Sequence, residues 1–171
     1  MAIKGLSQTS SLITIGFQVD QNGPNTFTEG RIDLQLNPLD NEVFVVQAIN
    51  IDCQTPDAIA ATNTGTTGSL STTSQTAVGN LSNSGVMATA ALRIRAAGFV
   101  DGGVAFEQSS METPPSGLDY IGIIATNDFF IQVQGTANIG ANDMSGRLYG
   151  YRAKASSAIY AALVQSELLT A

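Results

Sequence analysis

Few side chains in this sequence could do chemistry. There is no histidine and a single cysteine, Cys53. Without an imidazole, Ser-His-Asp and Cys-His catalysis, most zinc sites and the usual proton shuttle near neutral pH fall away. Cys53 has no partner for an intrachain disulfide and no metal-binding spacing around it, so it reads as a buried, inert thiol. Lys4 and Lys154 are the only lysines, and neither lies in a Ser-x-x-Lys pattern. Gly102-Gly103 belongs to a hairpin, not to a phosphate-cradling loop ahead of a helix. Two carboxylates suffice for glycoside hydrolysis, but nothing marks a pair, and tryptophan is absent. The chain is therefore read as not an enzyme, with no cofactor.

Calcium is the ion whose hard oxygen ligands occur here. Asp40-Asn41-Glu42, Asn127-Asp128 and Asn142-Asp143 place carboxylates beside amide oxygens. The competing reading is that Asn and Asp stand in turns because their side chains bond nearby backbone, and it is preferred; no metal site is assigned. Arg93 and Arg95 share one face of a strand, and Arg31 lies on another alternating strand. They suit pairing with carboxylates across a sheet or a subunit contact, or a solvated strand face. Tyr149, Tyr151, Phe129 and Phe130 are the aromatic anchors of a core or an interface.

These residues are spread over 171 positions, a length that suits one domain. Hydrophobic residues make up 43% and charged residues only 12%, about half the roughly 25% usual in globular proteins. Surface of this kind fits burial against other subunits, where each unpaired charge carries a desolvation cost. The net charge of −7 opposes strong direct nucleic-acid binding, which needs cations to displace counterions. No apolar run is long enough to span a membrane. The start, MAIKGLSQTSSLITIGF, lacks the pattern of a secretory signal, so synthesis and residence in a cytosol are expected.

The elements that must hold these residues are strands. Leu12 to Val19 alternates, with Ile13, Ile15, Phe17 and Val19 on one face. Turns are expected at 21–25 and 37–41, with a strand over 31–36 between them. The run 43–51 is apolar on both faces and predicts a central strand covered on both sides. Further strands are expected over 86–96, on each side of Asp101-Gly102, on each side of Thr126-Asn127-Asp128, and over 147–154, with loops at 111–117 and 138–146. After Ser156 the period changes: Tyr160, Leu163, Val164 and Leu168 recur at helical spacing, with Ser156 or Ser157 as cap. The expectation is an all-β chain, a single β-sandwich of about eight strands over 1–171 with one amphipathic C-terminal α-helix over 156–170.

One stretch resists this pattern. Ala61 to Met87 carries no charge, and apart from Leu70 it has no large apolar residue before Val78. A structureless loop of that length is uncommon in a compact domain. Residues 56–85 are read as a projecting loop or arm whose Thr-rich backbone adds strands to a neighbour. Its interface residues are Thr64, Thr66, Thr67, Ser69, Leu70, Thr72, Thr73 and Gln75.

Taken together, about eight short strands, long uncharged loops, low charge and no catalytic constellation resemble the single jelly-roll class of virus capsid (coat) proteins, over roughly residues 10–155. The resemblance implies a jelly-roll sandwich, self-assembly into a shell with copies of itself and other virion proteins, and residence in the virion after synthesis in a host cytoplasm. Other virion or filament subunits, such as tail-tube or head-decoration proteins, and carbohydrate-binding β-sandwiches are the alternatives.

Overall fold

The computed structural model describes residues 3–98, 106–109 and 118–170. The expected hairpin at Asp101-Gly102 and the loop at 111–117 lie outside them. Ten strands and one helix occur among the described residues: β1 (Leu6–Gln8), β2 (Ile13–Asp20), β3 (Thr28–Asp33), β4 (Glu42–Cys53), β5 (Thr64–Ser71), β6 (Val86–Arg95), β7 (Phe106–Ser109), β8 (Gly122–Ile124), β9 (Asp128–Thr136), β10 (Asp143–Ala155) and α1 (Ser157–Leu169). Between β3 and β4 a single 3₁₀ turn (Pro38–Asp40) is capped by the Asn37 side chain, and Asn41 closes it in the left-handed region.

The strands form two antiparallel sheets. In the first, β10 lies between β4 and a broken edge made by β1 and β2, and β8 flanks β4 on the far side. β1 pairs the end of β10 and β2 its beginning, so the two act as one interrupted strand. The second sheet runs β3-β9-β5-β6-β7. Except for the β5–β6 hairpin and β6–β7, each successive connection from β2 onward passes from one sheet to the other. The orders 2-10-4-8 and 3-9-5-6 make this a jelly-roll sandwich, with β7 extending the second sheet.

The core follows from alternation. Phe17, Val19, Phe44, Val46, Leu70, Phe129, Ile131, Met144 and Leu148 turn inward and pack between the sheets. Phe17 meets Phe129 edge to face, ring centroids 6.0 Å apart at 77°. β10 needs two glycines there. A Cβ at Gly146 would lie 2.6 Å from Phe17 Cζ, and one at Gly150 would lie 2.5 Å from Phe44 Cε1. The missing side chains make room for those rings.

β4 is covered on both faces at Val43, Phe44, Val45 and Val46, as its unbroken apolar run implies. Phe44 and Val46 face the other sheet; Val43 and Val45 face α1. Ile159, Tyr160, Leu163 and Val164 of the helix pack there with Ala153, Ala155 and Ala125.

Candidate functional site

The structure places the expected interface residues inside the chain. Thr64, Thr66, Thr67, Ser69 and Leu70 belong to β5, a central strand between β9 and β6, so this half of the segment is not an arm. Leu70 is in the core, Thr64, Thr66, Ser69, Thr72 and Thr73 are buried, and Thr67 and Gln75 are half-buried. The physical reason is that the hydroxyls bond within the chain. Thr64 donates to the Asp57 carbonyl at 2.6 Å, and Thr67 to the Gln134 carbonyl at 3.1 Å. Ser69 donates to Gln132 Oε1 at 2.7 Å, and Ser71 to the Thr73 carbonyl at 2.7 Å.

Residues 72–85 then fold back over the outer face of the second sheet. Gln132 is the hub beneath them, fully buried on β9. Its Nε2 donates to Ser71 Oγ at 2.7 Å and to Glu29 Oε2 at 2.9 Å. Glu29 also accepts from Ser74 Oγ at 2.6 Å and from the Gln75 amide at 2.7 Å. The Gly79 amide donates to Ser69 Oγ at 3.0 Å. No buried side-chain nitrogen or oxygen among the described residues lacks a partner. The segment is thus a lid fastened by polar contacts, and its Thr-rich strand has no free edge to offer a neighbour.

Cys53 and the carboxylates of the turns considered for calcium are muted or engaged. Burial, reinforced by Asp52 and Asp143, pushes the Cys53 thiol up to about 12, which keeps it protonated and weakly nucleophilic at neutral pH. At the turn considered for calcium, Asp40 meets Lys154 and Glu42 meets Arg152. Asp128 meets Arg31 at 2.7 Å across β3 and β9, so this arginine is paired within its sheet. Asn142 Nδ2 is used by Thr66 Oγ1. No group of three metal-ligating side chains occurs among the described residues. Arg93 and Arg95 meet no carboxylate among those residues. Phe129 lies in the core, Tyr151 packs beside α1, and Phe130 and Tyr149 are half-buried.

Glu167 is a buried carboxylate that sequence reasoning missed. It is the one Asp, Glu, Lys or Arg on α1, and it lies on the buried face. Its carboxylate accepts from the Ala125 amide at 2.7 Å and the Thr126 amide at 3.0 Å, just after β8. Desolvation raises its pKa, and those hydrogen bonds oppose the rise. A lone charge on an otherwise uncharged helix was the available signal. Beside it lies an open cleft of about 280 Å³ between β6, β8 and α1, lined among others by Met87, Ile121, Ile123, Leu163 and Glu167.

With Glu167 turned inward, the outer face of α1 carries no charge. Ala158, Ala161, Ala162, Gln165, Leu168 and Leu169 are exposed there, the two leucines at 66% and 78%. The outer face of the expected amphipathic helix is therefore uncharged, with Ser157, Gln165 and Ser166 exposed among the alanines and leucines. A surface helix ordinarily carries charged residues on its outer face. This face is a candidate for contact with another protein chain.

By strand order the chain is a jelly-roll β-sandwich with an added C-terminal helix. No family model matches it, and no curated protein or solved structure matches it either.

Proposed function

We propose that the chain is a structural subunit of a virus particle, a capsid protein that self-assembles into a shell. Jelly rolls serve mainly as capsid, lectin and cupin domains. Cupin-type metal chemistry relies on histidines, which this chain lacks. A lectin reading has one described pocket with an aromatic wall, the half-buried Tyr149 beside Asn50, Asp52 and Arg147. The observation that carries the capsid reading is the uncharged outer face of α1, laid on a sandwich of this strand order. The helix, and not residues 64–75, is the contact element. Burial of Leu168 and Leu169 against another copy supplies the attraction, and the small Ala158, Ala161 and Ala162 let the chains approach closely. A stable contact of this kind buries at least about 1,000 Å².

Negative-stain microscopy and sedimentation of the purified chain test the proposal. Closed shells are the expected result. Tubes would move the reading to a tail-tube subunit. A monomer at high concentration that binds oligosaccharides would replace it with a carbohydrate-binding sandwich.

A further inference from the structure

We propose that the outer face of the second sheet holds a binding site for one tetrahedral oxyanion of the phosphate class, between Arg93, Arg95, Asn63 and Thr136. The two arginines stand two residues apart on β6, so both turn outward. In the sheet register Gly65 of β5 lies between Arg93 on one side and Thr136 of β9 on the other. These residues line a pocket of about 150 Å³, large enough for such an ion.

The donor set selects for an anion. None of the lining residues is acidic. Asn63 Oδ1 accepts from the Ala96 amide at 3.1 Å and the Ala97 amide at 2.9 Å, which orients the carboxamide and leaves its Nδ2 amino group unengaged among the described residues. The Thr136 hydroxyl is likewise unengaged among them. Two other arginines meet carboxylates, Arg31 with Asp33 and Asp128 and Arg152 with Glu42, while the exposed Arg147, on the other sheet, has no ion pair among the described residues. Acidic residues outnumber basic ones 14 to 7, yet Arg93 and Arg95 meet none among the described residues. Two neighbouring guanidinium groups repel, and an anion between them removes that repulsion. Their planar forks match the oxygens of a phosphate.

Gly65 forms the floor. Its backbone has no left-handed geometry that would demand glycine, and a Cβ there would make only ordinary contacts, 3.5 Å from the Leu92 carbonyl oxygen and 3.6 Å from Arg93 Cγ. Sterics within the chain therefore do not require glycine at this position. What its absent side chain provides is open space between Arg93 and Thr136.

The test is calorimetric titration of the purified chain with sodium phosphate, against sodium chloride at matched ionic strength, with thermal unfolding in parallel. Saturable phosphate binding and a raised Tm are expected. The double variant R93Q/R95Q should lose at least about tenfold in affinity. Gly65→Ala keeps both arginines and the fold but fills the floor, and should also weaken binding. No saturable binding by the wild type, or wild-type affinity in both variants, overturns the proposal. A short single-stranded oligonucleotide that competes with phosphate identifies a polynucleotide backbone as the source of the group; failure to compete identifies a free small anion. Each readout concerns the subunit, so the outcome is separate from whether the chain forms shells.

Discussion

The two sheets have outer faces that are covered in opposite ways. On the first, apolar Val43, Val45, Ala153 and Ala155 lie beneath apolar side chains of α1. On the second, Gln132 ties Ser69, Ser71 and Glu29 together beneath residues 72–85, which are held from above as Ser74 and Gln75 donate to Glu29 and the Gly79 amide donates to Ser69. Apolar cover is non-directional and tolerates small shifts. Polar cover is directional: each partner satisfies the next, and loss of one leaves several buried groups unmatched. The only charge on the helix, Glu167, brings a directed contact to the apolar side, where it fixes the position of α1.

The largest effect should come from breaking the polar cover. Gln132→Ala removes three hydrogen bonds and leaves Ser69, Ser71 and Glu29 short of partners. It should cost about 3 kcal/mol in chemical denaturation, from unsatisfied buried groups at about 1–3 kcal/mol each. Amide hydrogen exchange at Gln75 and Gly79 should quicken more than at Ile159 or Leu163. Equal quickening under both covers would show that the lid is not held by this hub.

Next comes the apolar cover. Val45→Ala, under the helix, should cost about 2 kcal/mol through lost transfer energy and an incompletely closed cavity. Its effect should be spread over α1 and β4 and leave exchange at Gln75 and Gly79 close to that of the wild type.

Glu167→Gln separates the directed contact from the apolar packing around it. The folded-state pKa of Glu167 is raised by burial above the ordinary value of 4.5. Its linked stability is therefore fully present below the unfolded pKa and is lost as pH rises through the folded one. The difference in unfolding free energy, wild type minus variant, should fall as pH increases across that window. A flat difference would mean that the hydrogen bonds from Ala125 and Thr126 cancel the desolvation.

The smallest effect on stability should come from L168S/L169S. Both leucines are exposed, so unfolding should shift by no more than about 0.5 kcal/mol. Sedimentation should nonetheless show assembly lost. A variant that assembles as the wild type does would remove α1 from the proposed contact.

The contrast between the covers also explains what the sequence made legible. Period-2 alternation marked β2, β6 and β10, an unbroken apolar run marked β4, and the switch to helical spacing marked α1, because apolar burial writes itself into residue type. β5 was hidden because its outward positions, Thr67, Ser69 and Ser71, are covered through hydrogen bonds and read as loop. Gly68 added to the disguise: a Cβ there would collide with Met144 Sδ and stand 3.3 Å from Cys53 Sγ, so the core itself requires a turn-like residue in a central strand. The shared face of Arg93 and Arg95 was legible from their spacing. Their meeting with Asn63, Gly65 and Thr136 was not, since it depends on β9 returning from far along the chain to pair with β5.

β10 has a consequence for the order of events on the ribosome. It pairs with β1, β2 and β4, all made long before it. Until Asp143–Ala155 has emerged, β2 and β4 have no common neighbour, and Ile15, Phe17, Phe44 and Val46 lack Met144 and Leu148 of the same core. Long-range pairing of this kind slows folding and leaves transient species open to aggregation. The first sheet therefore closes only after β10 has been made, and α1, which follows it in the chain, docks onto a surface that has just come into existence.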